Sequence, residues 1–386
     1  MCRAGDLIPE VTFARMFQIL SSTQLKHLEE YKYHGARPTL TERMILARYW
    51  DWLVKQVPLW LAPNVMTLMG LMLNIFIVSV MIYYCPTGKE QAPGWVYLAC
   101  FAAYFTFQSL DGIDGKQARR TNTGSALGEL MDHGCDTFSM ITATIAACLT
   151  LQLGSLMYVI VPMYGIFEQF CARWQNCVTG VREFGLFDHV EIEVYTMLIF
   201  LLPGLFGADV YDTKVPLLGL PLKALAVSVY FCFTAFACSR YFSILLSEGF
   251  GKKALQFVLS PLLAMLPVAL LAGLIWTLSD DALLESKPGL YLLLLGTVST
   301  KVLNKQLIAL LVKSDIEYFD CVLIWPVLML LNLCLNNVID EAVVLYMCLI
   351  ISSIDVAFHS GVVVKQMSDF LGVELLRISH RADRKG

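Results

Sequence analysis

Four carboxylates, Asp111, Asp114, Asp132 and Asp136, stand inside stretches of chain that are otherwise apolar. Asp111 and Asp114 are three residues apart and Asp132 and Asp136 four, so on helices each pair shares one face. A carboxylate at the centre of a membrane costs roughly 3 kcal/mol unless it is paired or metal-bound, so four of them mark a functional site. Oxygen ligands from two neighbouring helices suit a hard divalent cation, and one or two Mg²⁺ ions holding phosphate oxygens is the expected chemistry. A chance cluster of acids snorkelling at a membrane surface is the bland alternative, and the cost of burying four charges argues against it.

The residues between the acids extend this reading. Gly115 and Ala118 are small enough to let a planar base or a phosphate approach a helix backbone, although tight helix packing also selects small residues. Lys116 and Arg119 are placed to neutralise a diphosphate, Arg119 by bidentate hydrogen bonds. Arg120 opens the polar turn Arg120-Thr121-Asn122-Thr123-Gly124-Ser125 and is expected to anchor the cytosolic side. His133 follows Glu129 by four residues, so the two share a helical face; His133 is a candidate general base and Glu129 its orienting partner. A second role for His133, hydrogen bonding to the metal carboxylates, stays open.

These residues need a membrane scaffold to position them. The chain has 386 residues, 57% of them hydrophobic and 16% charged, with a net charge of −4 that points to no nucleic-acid partner. Mean hydropathy is +0.63. The fold class expected is an all-α polytopic membrane protein, with about ten apolar segments long enough to cross a bilayer. They lie near 60–84, 94–116, 130–151, 155–175, 189–206, 216–245, 256–278, 288–310, 318–336 and 340–365. With a cytosolic N-terminus, the inside holds Arg119, Arg120, Arg173, Arg182, Lys252, Lys253, Lys313 and the C-terminal Arg377, Arg381, Arg384 and Lys385. The acidic turns Asp280-Asp281 and Asp340-Glu341 fall on the opposite side. Met1–Glu10 carries Asp6 and Glu10 without an apolar core, so no cleavable signal peptide is expected. Twelve scattered cysteines without a C-x-x-C pattern are read as free thiols. Before the first span, Thr39-x-x-Glu42 reads as a capping box opening an amphipathic helix with Ile45, Tyr49, Trp52 and Leu53 on its apolar side, lying in the membrane interface.

From Asp111 the chain spells D-x2-D-G-x2-A-R-x8-G-x3-D-x3-D, eight fixed positions across 26 residues. This resembles the signature of the CDP-alcohol phosphatidyltransferase family, and Gly128-Glu129-Leu130-Met131-Asp132-His133-Gly134-Cys135-Asp136 resembles its eukaryotic cholinephosphotransferase and ethanolaminephosphotransferase branch. The likeness covers nearly the whole chain and is strongest over 57–136, including Trp60-Leu61-Ala62-Pro63-Asn64 with Thr67 and Gly70, and Leu259-Ser260-Pro261 later. Gly112 departs from the alanine frequent in that branch.

The resemblance implies transfer of phosphocholine from CDP-choline to diacylglycerol, with CDP-ethanolamine as an alternative donor. It implies Mg²⁺ or Mn²⁺, two ions held by Asp111, Asp114, Asp132 and Asp136. It implies nucleotide contacts from Asn64, Thr67, Gly115, Lys116, Ala118, Arg119 and Gly128, with His133 or Asp136 as base. Trp174 and Tyr104 are aromatic candidates for the choline head. The implied setting is the endoplasmic reticulum or Golgi membrane with the site facing the cytosol. The division expected is a cytosolic segment 1–58, a catalytic core 59–245, a four-helix part 246–366 for lateral diacylglycerol access and a homodimer contact, and a tail 367–386. A transporter with an acidic relay is the rival class; it leaves the Gly115, Ala118, Arg119 and His133 placements unexplained.

Overall fold

The computed structural model describes residues 18–31, 38–180, 185, 188–216, 218–247, 253–278, 285–315 and 319–378. Arg182, Lys252, the Asp280-Asp281 turn, Arg381, Arg384 and Lys385 lie outside the described residues, as does Met1–Glu10. Among the described residues the regular structure is helical, with one isolated bridge between Lys214 and Pro221 and no strand. The helices are α1 Ser22–His27, α2 Ala47–Gln56, α3 Pro63–Tyr84, α4 Gly94–Thr121, α5 Ala126–Thr150 and α6 Ser155–Thr179. They continue as α7 His189–Phe206, α8 Leu222–Ser247, α9 Lys253–Leu278, α10 Pro288–Leu311, α11 Ile324–Cys334 and α12 Glu341–Leu371.

Helices α3 to α12 fall where the apolar segments predict. Four of them, α3, α7, α8 over Leu222–Ile244, and α12, are long and apolar enough to cross a membrane among the described residues. The segment expected at 318–336 forms a 3₁₀ turn, Cys321–Leu323, and the 11-residue α11. At about 1.5 Å per residue that helix is shorter than a ~30 Å hydrocarbon core.

The turn after α4 sets the site. Asn122 adopts the left-handed conformation (φ 56°) that ends α4, and Ser125 caps α5 by accepting from the Gly128 amide at 3.2 Å. The chain thus reverses within a few residues, and the acid-bearing end of α4 meets the acid-bearing start of α5. Below it, α3, α4, α5, α7 and α10 share one apolar core that includes Ile77, Met81, Tyr97, Ile145, Phe200 and Val298, each buried. That core holds the five helices in fixed register, which is what the chemistry above requires.

Helix α2 packs on the protein through a face other than the apolar side read for the interface. Leu46, Trp50 and Val54, four residues apart along the helix, are its buried stripe, while Ile45 and Trp52 are exposed and Tyr49 and Leu53 are half-buried. Thr39 Oγ1 accepts from the Glu42 amide at 3.4 Å, and residues Glu42–Leu46 wind as a π-helix before α2 proper. Trp50 lies flat against α4 at Gly112, where a Cβ would come within 2.2 Å of the indole. Glycine at the position that departs from the branch is therefore the residue that admits Trp50. Lys116 Nζ donates to Asp51 Oδ1 at 2.8 Å, and Arg120 Nη1 donates to the carbonyls of Val54 (2.6 Å) and Val57 (2.7 Å), clasping α2 to α4.

Two further departures follow from partners remote in sequence. Arg173, expected in a cytosolic loop, lies within α6 and donates to the carbonyls of Leu303 (2.9 Å) and His133 (2.8 Å), joining α5 to α10. The C-terminal part, read from the sequence as four apolar segments, buries Lys301 at 3% exposure between Asp320 (2.9 Å) and Asp355 (2.8 Å). Lys305 adds a second contact to Asp320 at 2.8 Å.

Candidate active site

Asp111 and Asp114, on one face of α4, meet Asp132 of α5 with ligand oxygens all within 4.8 Å of one another. Asp132, His133 and Asp136 form an overlapping group with the same spread. Asp114 is buried, and its Oδ2 accepts from Thr67 Oγ1 of α3 at 2.6 Å. A hydroxyl donated to one oxygen orients the carboxylate and leaves the other free to face the centre of the cluster. Four carboxylates converging from two rigid helices give an all-oxygen, strongly anionic donor set, which fits a hard divalent cation and suits neither a soft metal nor an anion.

Two cavities of about 140 and 230 Å³ adjoin at this cluster, and Asp114, Gly115, Arg119 and Asp132 line both. The outer cavity carries Asn64, Thr67, Ala118, Gly124 and Gly128, and is closed by residues 373–378 beyond α12. Its floor is small side chains and backbone, so a flat ring can lie against it. Asn64 Nδ2 donates to the Leu375 carbonyl at 3.0 Å, which fastens that closing segment to the start of α3. Arg119 stands at the junction of the two cavities, where a diphosphate bridging them would lie. Lys116 lines the inner cavity while held by Asp51.

The inner cavity has two unlike walls. Helix α6 contributes Glu168, and the start of α7 contributes Asp188, His189 and Glu193. Burial works against the charged form of Asp188, yet His189, the Gly185 amide and Arg240 outweigh it and hold the carboxyl well below the usual carboxylate range. Met140 of α5 with Leu307 and Leu310 of α10 supply apolar lining beside Gln306, and Met140 Sδ accepts from Gln169 Nε2 of α6 at 2.7 Å.

His133 Nε2 lies 3.0 Å from Glu129 Oε1, and Nδ1 lies 3.8 Å from Asp136 Oδ2. Glu129 has a partner that the sequence did not suggest: Tyr31, just after α1, donates its hydroxyl to Glu129 Oε2 at 2.8 Å. Tyr31, Glu129 and His133 thus make a chain ending at the metal-type carboxylates. The signal for Tyr31 is tertiary: Leu20 and Leu28 pack with Leu127, Leu130, Leu307 and Met367, which seats the N-terminal segment on the ends of α5, α10 and α12. Trp174 and Tyr104 line neither cavity; Trp174 lies tilted beside Phe242 and Tyr104 sits between Phe107 and Phe200.

Comparison with known proteins decides the family. The family model for CDP-alcohol phosphatidyltransferases matches residues 60–278. This chain belongs to the CDP-alcohol phosphatidyltransferase family. It is 40% identical to cholinephosphotransferase 1 of Xenopus laevis over 366 residues, 93% of this chain and 91% of that protein. It is 40% identical to cholinephosphotransferase 1 of Homo sapiens over 370 residues, 94% and 91% of the two chains. Against cholinephosphotransferase 1 of Danio rerio the identity is 37% over 366 residues, 93% and 96% of the two. The matched family region contains α3 to α9 and hence every acid of the cluster, whereas α10, with Gln306, lies beyond it.

Proposed function

We propose that this protein transfers phosphocholine from CDP-choline to diacylglycerol, releasing CMP and forming phosphatidylcholine. The observation that carries the reading is the carboxylate cluster shared by two adjoining cavities, one lined by small residues and one with further carboxylates, with a Glu-paired histidine on its edge. The named relatives, similar along nearly their full lengths, support choline as the head group.

Asp111, Asp114, Asp132 and Asp136 would hold Mg²⁺ or Mn²⁺, two ions by our reading. When bound, the metal supplies Lewis acidity toward the diphosphate and stabilises the charge of departing CMP. Asn64, Thr67, Gly115, Ala118 and Gly128 shape the nucleotide seat, and Arg119 neutralises the diphosphate with Lys116 behind it. The cationic head group is drawn toward Glu168 and Glu193 on the acidic wall. His133 takes the proton of the diacylglycerol hydroxyl as that oxygen attacks the β-phosphorus in line, and Glu129, fixed by Tyr31, steadies the imidazolium that results. Asp136 is the alternative base; a carboxylate committed to metal is a poorer one.

Phosphoethanolamine transfer is the second reading. Carboxylates on the inner wall can accept hydrogen bonds from a primary ammonium, which a quaternary one lacks. The scaffold we read around the site has about ten spans with both termini in the cytosol, α2 in the interface with Ile45 and Trp52 toward lipid, and an endoplasmic reticulum or Golgi location. The helices α9 to α12 would provide lateral access for diacylglycerol and a homodimer contact. Purified protein with Mg²⁺, labelled CDP-choline or CDP-ethanolamine, and diacylglycerol tests the assignment. Labelled phosphatidylcholine is expected; no lipid product from either donor rejects it, and product from CDP-ethanolamine alone moves it to the second reading.

A further inference from the structure

Gln306 is 2% exposed, lines the inner cavity, and has no hydrogen-bond partner for either Nε2 or Oε1. A buried primary amide left with neither its donor nor its acceptor met is costly, and native structures rarely keep one without a ligand or solvent to satisfy it. Its position is fixed from both sides. One turn earlier on α10, Arg173 donates to the Leu303 carbonyl and to the His133 carbonyl, and Asn304 Nδ2 donates to the Gly134 carbonyl at 3.3 Å. These bonds clamp α10 onto α5 beside the histidine, so the amide of Gln306 is carried on the helix held against His133.

The chemistry of the amide selects what meets it. A trimethylammonium neither donates nor accepts hydrogen bonds, so a choline head leaves both atoms unmet. Metal-held phosphate oxygens only accept, so they satisfy Nε2 alone. A neutral alcohol does both: its oxygen accepts from Nε2 and its proton is donated to Oε1. The neighbours agree, since Leu307 and Leu310 of the same helix and Met140 of α5 give this part of the cavity apolar lining.

We propose that Gln306 binds the hydroxyl of the lipid acceptor and holds it beside His133, so that the α10 wall is the acceptor subsite and the α6–α7 wall the head-group subsite. In the ground state the hydroxyl keeps its proton and donates a hydrogen bond to Gln306 Oε1; the proton leaves the lipid oxygen for His133 as that oxygen attacks phosphorus and CMP departs, with the amide unchanged by the turnover. This rests on the phosphotransferase reading above, and it assigns a substrate role to a helix outside the matched family region.

The test is steady-state kinetics of full-length Gln306→Leu in mixed micelles, varying diacylglycerol and CDP-choline separately. The expected result is a KM for diacylglycerol raised at least tenfold with the KM for CDP-choline within twofold of the unsubstituted protein. Gln306→Asn, which keeps the amide one methylene short, should fall between. If Gln306→Leu is not recovered folded, Gln306→Met carries the same expectation with a side chain of similar length. Unchanged KM values for both substrates mean that solvent alone satisfies the amide and overturn the proposal. A rise in the KM for CDP-choline alone overturns it too, by moving Gln306 to the donor. Failure of the unsubstituted protein to make any lipid product is a different outcome, which removes the functional reading itself.

Discussion

Two clusters of buried charge divide this molecule, and they are built on opposite rules. Around Asp111, Asp114 and Asp132, acids face acids, with oxygens from two helices gathered within 4.8 Å. Around Lys301, acids face cations: Lys301 lies between Asp320 and Asp355, and Lys305 takes the second oxygen of Asp320. The second arrangement satisfies itself within the chain, so it serves as architecture, tying α10 to α12 and to the loop before α11. The first gathers like charges from two helices, and a divalent cation is the partner we propose for it. Burial of charge is common to both; complementarity within the chain separates a brace from a site.

The largest effect should come from the acidic cluster. Asp111→Asn or Asp132→Asn should lower lipid product formation by at least ~10³-fold, because a neutral amide is a weaker ligand for a hard cation. In metal-free buffer the thermal midpoint of either variant should hold or rise, since a repulsion has been relieved. EDTA should silence the unsubstituted protein, and Mg²⁺ or Mn²⁺ should restore it; full turnover in EDTA would break the comparison at its first term.

The paired cluster should respond in the reverse sense. Lys301→Met leaves the half-buried Asp355 without its cation and should cost about 1–3 kcal/mol, read by thermal or denaturant unfolding in detergent. The product rate per folded molecule should stay within about twofold. Adding Asp355→Leu to Lys301→Met should recover most of the loss, because an apolar pair replaces an ionic one. A double variant no more stable than the single would show that Lys301 does more than brace.

A smaller effect is expected from His133→Ala, about 10²-fold in turnover with CDP-choline affinity little changed. An equal loss of nucleotide binding would reduce His133 to a structural partner of Glu129. Gly112→Ala sets a Cβ 2.2 Å from the Trp50 indole and should cost about 1–3 kcal/mol as α2 is displaced. Trp50→Leu in the same chain should relieve it. The mildest signal is in pH. The depressed Asp188 carboxyl contributes stability that is fully present above about pH 4, its unfolded value, and is lost as pH falls through the folded one. Asp188→Asn should flatten the acid limb of a thermal-shift profile; an unaltered limb would assign it to other acids.

The acidic cluster was legible because its signal is local. Helical spacing puts Asp111 with Asp114 and Asp132 with Asp136, and the cost of charge in lipid singles them out. The helix order was legible for a similar reason, since runs of apolar residues set their own length. What sequence left open depends on partners far along the chain. The Trp50 face of α2 is chosen by Gly112 of α4, and Arg173 reaches carbonyls on α5 and α10. Tyr31 meets Glu129 across 98 positions. Lys301 meets Asp355, 54 residues later. Trp174 and Tyr104 line neither cavity because they share the ordinary fate of large rings, which is to fill a core.

The clasp formed by the two ends of the described chain bears on synthesis. The Ile19 and Leu20 amides donate to Gln366 of α12, Lys313 meets Glu30, and Asn64 holds Leu375. The ribosome releases the aspartates of α4 and α5 long before α12 and the segment after it. Until those arrive, Tyr31 lacks the seat that presents it to Glu129, and the nucleotide cavity has no outer wall. A nascent chain halted midway would therefore carry the acids without the segment that closes the outer cavity.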